Sequence, residues 1–168
     1  MGVDPRGKGG IQPASTRWLS FFAVGAYVII LDQLTKDVAR TALAPGEGFH
    51  ILGSLWVQPF RNPGIAGGAF AGDAVPAALV ATVAVLGILV FLVRHGAGGR
   101  SVTVGFGLLM GGGLGNLLDR LRAGYVTDFI VHGNQAFNLA DVAILAGTAV
   151  ILAGLCLRLL RTQLRLFA

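Results

Sequence analysis

Two aspartates, Asp128 and Asp141, are the residues of this sequence best suited to do chemistry. They stand thirteen positions apart, and Gly133 and Asn134 between them are residue types that turn a chain back on itself. Two carboxylates brought close together cannot both ionise comfortably, so they share a proton. Such a pair offers a base that activates water and an acid that protonates a leaving group. The pair favours hydrolysis, although paired carboxylates also occur in proton and ion pathways.

Other kinds of catalytic centre lack necessary parts. The three histidines, His50, His95 and His132, do not have the spacing of metal ligands. No nucleophile elbow is present for a Ser–His–Asp arrangement, and Ser54 stands outside any such motif. The sequence therefore offers no metal site, and the carboxylate pair is the best available chemistry.

Further polar residues stand at helical spacing. They are Asp32 with Lys36 and Asn116 with Arg120 at i, i+4, and Asn138 with Asp141 at i, i+3. A charge at the centre of a membrane helix costs at least ~2.5 kcal/mol, so a charge in or beside a span marks a functional site by default. Structural pairing at the membrane boundary is the competing interpretation for Asp32–Lys36 and Asp119–Arg120. It is weaker for Asp141, because no basic residue lies within one turn of it.

The composition indicates that a membrane positions these residues. Of the 168 residues, 54% are hydrophobic and 12% are charged, against about 25% charged in ordinary soluble domains. The mean hydropathy is +0.73. No basic stretch is interleaved with aromatic residues, which argues against a nucleic-acid partner. The single cysteine, Cys156, excludes an internal disulfide and is predicted to be a small buried residue.

Four stretches are apolar enough to span a bilayer, and each must be helical because a lone strand leaves backbone groups unsatisfied in lipid. They cover about residues 18–35, 74–93, 101–118 and 137–157. Residues 1–17 read as a flexible tail, and residues 18–168 as one membrane domain with outer loops at 36–73 and 119–136. The third span contains six glycines, which favours close helix packing.

The basic residues predict the orientation of these spans. Eight of the 13 lie in the two terminal segments and in the turn between the second and third spans: Arg6, Lys8, Arg17, Arg94, Arg100, Arg158, Arg161 and Arg165. By the positive-inside rule, these segments face the cytoplasm. The conspicuous polar residues of three spans then converge on the outer leaflet. We expect a polar site at that surface.

Three blocks of this sequence resemble the lipoprotein signal peptidases, the signal peptidase II family. Leu31–Lys36 (LDQLTK) looks like the family's DQxxK signature. Gly115–Ile130, which includes GNLLDR and DFI, resembles its GNxxDRxxxGxVxDF block, and Phe137–Asp141 (FNLAD) resembles FNxAD. One block departs from the family: Asn62-Pro63-Gly64 fits N-x-G-x-A-F, but Gly67 follows Ala66 and the phenylalanine comes only at Phe70.

The resemblance implies a mainly α membrane protein with four transmembrane helices, a small β-cradle on the outer, periplasmic side, and a surface helix drawn from residues 37–73. It implies an aspartyl endopeptidase that cuts diacylglyceryl-modified prolipoproteins just before the lipidated cysteine, with Asp128 and Asp141 as the catalytic pair. The residues it implies as substrate-binding or dyad-orienting are Asn62, Asn116, Arg120 and Asn138. Those it implies as supportive are Asp32, Lys36, Asp119 and Gly64.

The resemblance also implies a cellular location and a set of partners. The protein is expected as a multi-pass monomer of the bacterial cytoplasmic (inner) membrane, with both termini in the cytoplasm and its active site at the outer leaflet. Its partners are lipid-modified precursors, membrane lipid and the cyclic peptide inhibitor globomycin. The competing hypothesis is a small proton or ion conductor that uses the same carboxylates. A conductor needs polar groups across the membrane depth, and the second span carries no charge.

Overall fold

A computed structural model describes residues 14–44, 46–64, 79–80, 83–84, 87–88, 90–91 and 99–166 of the chain. Its helices are α1 (Ala14–Ala42), α2 (Arg100–Ala123) and α3 (Leu139–Leu166). Its strands are β1 (Phe49–Leu52), β2 (Leu55–Asn62), β3 (Val126–His132) and β4 (Gln135–Phe137). The described part of the chain is therefore mainly helical, with one small sheet.

All three helices are long and apolar enough to cross a membrane. They correspond to the first, third and fourth predicted spans. Helices α1 and α2 extend beyond both predicted bounds, whereas α3 begins two residues later and ends nine residues later than predicted. Residues 14–17, predicted as part of the tail, are helical. The first span was expected to end near Thr35, whereas α1 continues to Ala42, so the first outer loop is shorter than predicted. Of the predicted span 74–93, the eight described residues are helical, and the rest lie outside the described residues.

Helix α2 is the central helix. In its most apolar window 56% of the residues are buried, against 22% in α1 and 12% in α3. Glycines let its neighbours approach closely, as the sequence predicts. A Cβ on Gly111 would lie 2.7 Å from the carbonyl oxygen of Gly25 in α1, and one on Gly112 would lie 2.5 Å from the carbonyl oxygen of Ala140 in α3. Side chains larger than hydrogen would force these helices apart.

The apolar core between α1 and α2 is built on Phe21 and Met110, with Ile88 packed against them. The outer surfaces of the helices remain apolar, as a lipid-facing surface requires. Cys156 lies on such a surface: it is exposed, so the prediction that it is buried is wrong. Burial statistics from soluble proteins do not apply to a helix that faces lipid, where an exposed apolar side chain costs nothing.

The four strands form one antiparallel sheet in the order β1-β2-β3-β4. Each outer pair is a hairpin closed by a two-residue turn, at Gly53-Ser54 and at Gly133-Asn134. Gly133 has a φ of +58°, which glycine adopts without strain. The turn predicted at this position is confirmed. It folds β4 back onto β3, so that the chain enters α3 beside Asp128.

The sheet is the counterpart of the predicted cradle. In the described part of residues 37–73, the helical residues belong to the end of α1 and the remainder forms β1, β2 and their connections. The surface helix predicted for that loop is not found among these described residues. The atypical Gly67–Phe70 segment lies outside the described residues.

Candidate active site

Asp128 lies in the middle of β3, where the sheet meets the ends of the helices. Its carboxylate is buried, with 1% of the residue exposed. Asn62 Nδ2 donates to Asp128 Oδ2 at 2.9 Å, and Asn138 Nδ2 donates to Asp128 Oδ1 at 2.6 Å. The register of the sheet explains the first contact, because Asn62 pairs with Val126, two residues before Asp128.

The side-chain amides of Asn62 and Asn138 are oriented by the hydrogen bonds that their oxygens accept. Asn62 Oδ1 accepts from the backbone N–H of Gly64 at 3.0 Å, and Asn138 Oδ1 accepts from the backbone N–H of Asp141 at 3.0 Å. Each side chain must therefore present its NH₂ group to Asp128. Both oxygens of Asp128 are held as acceptors.

Asp141 lies in the first turn of α3 and is half-buried. Asn116 Nδ2 of α2 donates to its Oδ1 at 2.8 Å, and the backbone N–H of Asn138 donates to its Oδ2 at 3.1 Å. Asn138 and Asp141 thus form a reciprocal capping box at the start of the helix. Because Asn138 also donates to Asp128, it contacts both carboxylates.

Charged groups from three helices face Asp128: Lys36 of α1, Arg120 of α2 and Asp141 of α3. Burial raises the pKa of the Asp128 carboxyl from 3.8 to about 6, and the negative charge of Asp141 adds to this rise. The hydrogen bonds from Asn62 and Asn138 and the charge of Lys36 oppose it. Asp128 therefore titrates well above an ordinary aspartate.

A second polar cluster lies behind the two aspartates. Lys36 Nζ is 2.8 Å from Asp32 Oδ2 and 3.2 Å from Asp119 Oδ2, and the side chains of Lys36 and Asp32 are fully buried. The ion pair predicted from the i, i+4 spacing is confirmed, but it is an interior pair rather than a boundary one. Asp119 pairs with Lys36 rather than with its sequence neighbour Arg120.

Asn116 joins this cluster to the two aspartates. Its Oδ1 accepts from Lys36 Nζ at 2.9 Å and from Asn138 Nδ2 at 3.1 Å, while its Nδ2 donates to Asp141. A residue with one acceptor and one donor group therefore connects the buried ammonium to both carboxylates. Asparagine is the right size and polarity for that position.

Arg120 projects from α2 toward the segment that follows β2, and it is buried there. Its Nη2 donates to the carbonyl oxygen of Gly64 at 2.8 Å, and its Nη1 donates to the carbonyl oxygen of Asn116 at 3.2 Å. Among the described residues, Arg120 Nε is the one buried side-chain nitrogen or oxygen without a hydrogen-bond partner.

Some contacts were not foreseen from the sequence. Gln33 Nε2 lies 3.2 Å from both Asp32 Oδ2 and Asp119 Oδ1, and its position beside Asp32 was the available signal. Ser54 Oγ bonds His132 Nε2 at 2.9 Å, joining the two exposed hairpin turns. Within the described ranges, no three His, Cys, Asp or Glu side chains gather in a metal-binding arrangement.

Comparisons with known proteins identify the family. The family described as Signal peptidase (SPase) II matches residues 24–157. The lipoprotein signal peptidase of Moorella thermoacetica is 36% identical over 136 residues, covering 79% of this chain and 90% of that protein. The corresponding protein of Chlorobium phaeobacteroides is 34% identical over 146 residues, covering 78% and 92%.

The fold agrees with these matches. A bacterial membrane enzyme solved at 2.3 Å by the in meso method superposes with a TM-score of 0.74 at 27% identity, covering 84% of this chain and 88% of that one. A second such structure, solved at 1.9 Å, gives a TM-score of 0.71 at the same identity. The chain belongs to the signal peptidase II family, the lipoprotein signal peptidases.

Proposed function

We propose that this protein is an aspartic endopeptidase that removes the signal peptide from diacylglyceryl-modified prolipoproteins just before the lipidated cysteine, with Asp128 and Asp141 as its catalytic pair. The observation that carries the proposal is the double role of Asn138. It bonds Asp128 through its side chain and Asp141 through its backbone. The carboxylates of β3 and α3 are thereby both held by hydrogen bonds to one residue.

The chemistry follows from a pair that shares one proton. The ionised carboxylate accepts a proton from water as the water oxygen attacks the scissile carbonyl, and the protonated carboxyl donates to the carbonyl oxygen. The tetrahedral intermediate then collapses: one of its hydroxyls returns a proton to the carboxylate that had donated it, the C–N bond breaks, and the leaving amine takes the proton that the other carboxylate had accepted from water. The raised pKa of Asp128, about 6, supports its ability to carry the shared proton in mildly acidic conditions.

The neighbouring polar residues orient this pair and the substrate. Asn62, Asn116 and Asn138 hold the carboxylate oxygens through their amide groups. Arg120 bonds the carbonyl oxygen of Gly64 and thereby orders the segment that follows β2 beside the pair. The buried cluster of Asp32, Lys36 and Asp119 supports the pair from behind.

The position and orientation of the protein in the membrane are part of the same proposal. We expect residues 74–93 to supply a fourth transmembrane helix of one membrane domain, with both termini facing the cytoplasm. The dyad then lies at the outer leaflet of the bacterial inner membrane, where a lipid-anchored cysteine holds its scissile bond. Lipid tails remote from the reaction supply binding energy. The protein acts as a monomer, and globomycin binds in place of the substrate.

The function is tested with purified protein and two matched precursors, one carrying the diacylglyceryl-modified cysteine and one unmodified. We expect a gel shift only for the modified precursor, and mass spectrometry should place the new N-terminus at the lipidated cysteine. Globomycin should suppress the shift, and EDTA should leave it unchanged. Equal cleavage of the two precursors, or cleavage at another position, would contradict the proposed function.

A further inference from the structure

The backbone amide immediately before each dyad aspartate is held by a buried carboxylate. The N–H of Thr127, which precedes Asp128, donates to Asp119 Oδ2 at 3.0 Å. The N–H of Ala140, which precedes Asp141, donates to Asp32 Oδ1 at 2.9 Å. Each carboxylate thus fixes the backbone from which a dyad side chain projects.

A single ammonium group ties these two carboxylates together. Lys36 Nζ contacts Asp32 Oδ2 at 2.8 Å, Asp119 Oδ2 at 3.2 Å and Asn116 Oδ1 at 2.9 Å. These three acceptors use all three of its N–H groups. Lys36 is fully buried, so water does not compete for any of them. The chain of contacts runs from the amide before Asp128 to the amide before Asp141 through Lys36.

The connection between the two aspartates along the chain is a short hairpin. It runs through β3, the turn at Gly133-Asn134, and the three-residue strand β4. The buried cluster instead connects β3 and α3 to α1 and α2, which are long helices packed through close glycine contacts.

We propose that Asp32, Lys36 and Asp119 are positioning residues that set the separation of the two dyad carboxyls by tying together the backbone amides that precede them. The inference rests on the proposed function. An apolar set of similar volume can be as stable as a buried group of charges, so stability alone gives little reason for this arrangement. Catalysis does give one, because a displacement of about 1 Å can cost ~100-fold in rate.

The test removes the tie while retaining both acceptors. In the triple variant Asp32→Asn/Lys36→Met/Asp119→Asn, each asparagine oxygen can still accept its backbone N–H, and no buried charge is left unpaired. The matched control is Thr35→Val on the same helix, because the Thr35 hydroxyl bonds only the carbonyl oxygens of Leu31 and Asp32 within α1. Both full-length proteins are assayed with the lipid-modified precursor.

We expect kcat of the triple variant to fall by roughly 10–100-fold, with KM near the wild-type value. The two limbs of the pH profile of kcat/KM should also move toward each other, because carboxyls that drift apart interact less strongly. This readout is taken from the single variant Asp119→Asn, because the charge of Lys36 itself lowers the pKa of Asp128 and its removal would move a limb directly. A role in stability alone would lower the melting temperature and the active fraction without changing the separation of the limbs. Thr35→Val should match the wild type in all these measurements.

The single variant Asp119→Asn covers the case in which the triple variant does not fold. It leaves Lys36 paired with Asp32 at 2.8 Å, so it creates no unpaired buried charge. It weakens the tie to β3, because Asp119 Oδ2 contacts both Lys36 Nζ and the Thr127 N–H, and a neutral amide oxygen attracts the ammonium less than a carboxylate does. We expect a smaller fall in kcat with the same narrowing of the pH profile. Wild-type kcat in a folded triple variant, or wild-type kcat and wild-type separation of the limbs in a folded Asp119→Asn variant, would overturn the inference.

The outcome also separates this inference from the proposed function. If the wild-type protein does not cleave the lipid-modified precursor, or if a dyad aspartate proves dispensable, the proposed function itself fails. If the wild type cleaves and the dyad variants are inactive, but the cluster variants behave as wild type, only the positioning role fails.

Discussion

Asn138 and Asp141 cap each other at the start of α3. The backbone N–H of Asp141 donates to Asn138 Oδ1 at 3.0 Å, and the backbone N–H of Asn138 donates to Asp141 Oδ2 at 3.1 Å. The same Asn138 donates its side-chain amide to Asp128. Asn138 therefore takes part both in the beginning of the helix and in the arrangement of the two carboxylates, and substitutions here change both.

The pH dependence of stability should report the buried state of Asp128. Its pKa is about 6 in the folded protein and 3.8 ordinarily, so the folded state binds this proton more tightly. The resulting stabilisation is fully present below about pH 4 and is lost as the pH rises through about 6. Asparagine carries no such proton. The melting temperature of Asp128→Asn minus that of the wild type should therefore rise between pH 4 and pH 6 and level off above. A difference that stays constant over this range would contradict the burial of Asp128.

Arg120→Ala should lower kcat/KM by roughly 10–100-fold, because the guanidinium orders the carbonyl oxygen of Gly64 beside the site. Arg120→Lys should recover only part of the activity, since one ammonium cannot reproduce a planar group that donates in several directions. Melting curves separate lost stability from lost positioning. Full activity and an unchanged melting temperature in Arg120→Ala would show that this residue has no role in positioning or in stability.

The glycine contacts of α2 should be sensitive to a single methyl group. A Cβ at Gly112 would lie 2.5 Å from the carbonyl oxygen of Ala140, so Gly112→Ala should destabilise the protein by ~1–3 kcal/mol through overpacking. Gly87→Ala is the matched control, because no atom of the described residues lies within 4 Å of a Cβ built there. Equal melting temperatures for the two variants would show that α2 and α3 do not approach this closely.

The orientation in the membrane can be tested by cysteine labelling in a Cys156→Ala background. Asn134→Cys is the reporter, because Asn134 is exposed in the hairpin turn, whereas Gly133 has a φ of +58° that a side chain would strain. An impermeant thiol reagent should label it in intact spheroplasts. Ser101→Cys lies near the N-terminal end of α2, opposite the end that carries Asn116 and Arg120, and it should react only after the membrane is breached. The reverse pattern would contradict the proposed orientation.

Much of the arrangement follows from the sequence for identifiable reasons. The helical spacing of Asp32 and Lys36 predicts their ion pair, and the turn residues Gly133 and Asn134 predict the hairpin. The contacts of Asp32 and Asp119 with backbone amides are different. Every residue other than proline carries an N–H group, so no pattern of side chains indicates that Ala140 and Thr127 are the ones bound.

The length of α1 was also underestimated. Its last turns contain the charged residues Lys36, Asp37 and Arg40, and charged residues after an apolar span usually indicate the start of a loop. The structure buries the Lys36 side chain completely, and Asp37 pairs with Arg40 at 2.7 Å. Lys36 continues the helix because its partners Asn116 and Asp119, on a distant segment of the chain, lie inside the protein, whereas the Asp37–Arg40 pair lies within the helix itself.

The central claim is that Asp128 and Asp141 carry out the cleavage, and single substitutions test it most directly. Wild-type protein, Asp128→Asn, Asp141→Asn and the control Asp37→Asn are incubated with the lipid-modified precursor, and mass spectrometry quantifies the product. Asp37 is a suitable control because 68% of its side chain is exposed. Melting curves verify folding, since an amide at position 128 leaves Asn62 or Asn138 without an acceptor.

The wild type and Asp37→Asn should release a product that begins at the lipidated cysteine. Each dyad variant should lose ~10²–10⁴-fold in rate or more, because asparagine can neither accept the proton of water nor share one. Substantial turnover by folded Asp128→Asn or folded Asp141→Asn would remove that residue from the chemistry and contradict the proposed mechanism.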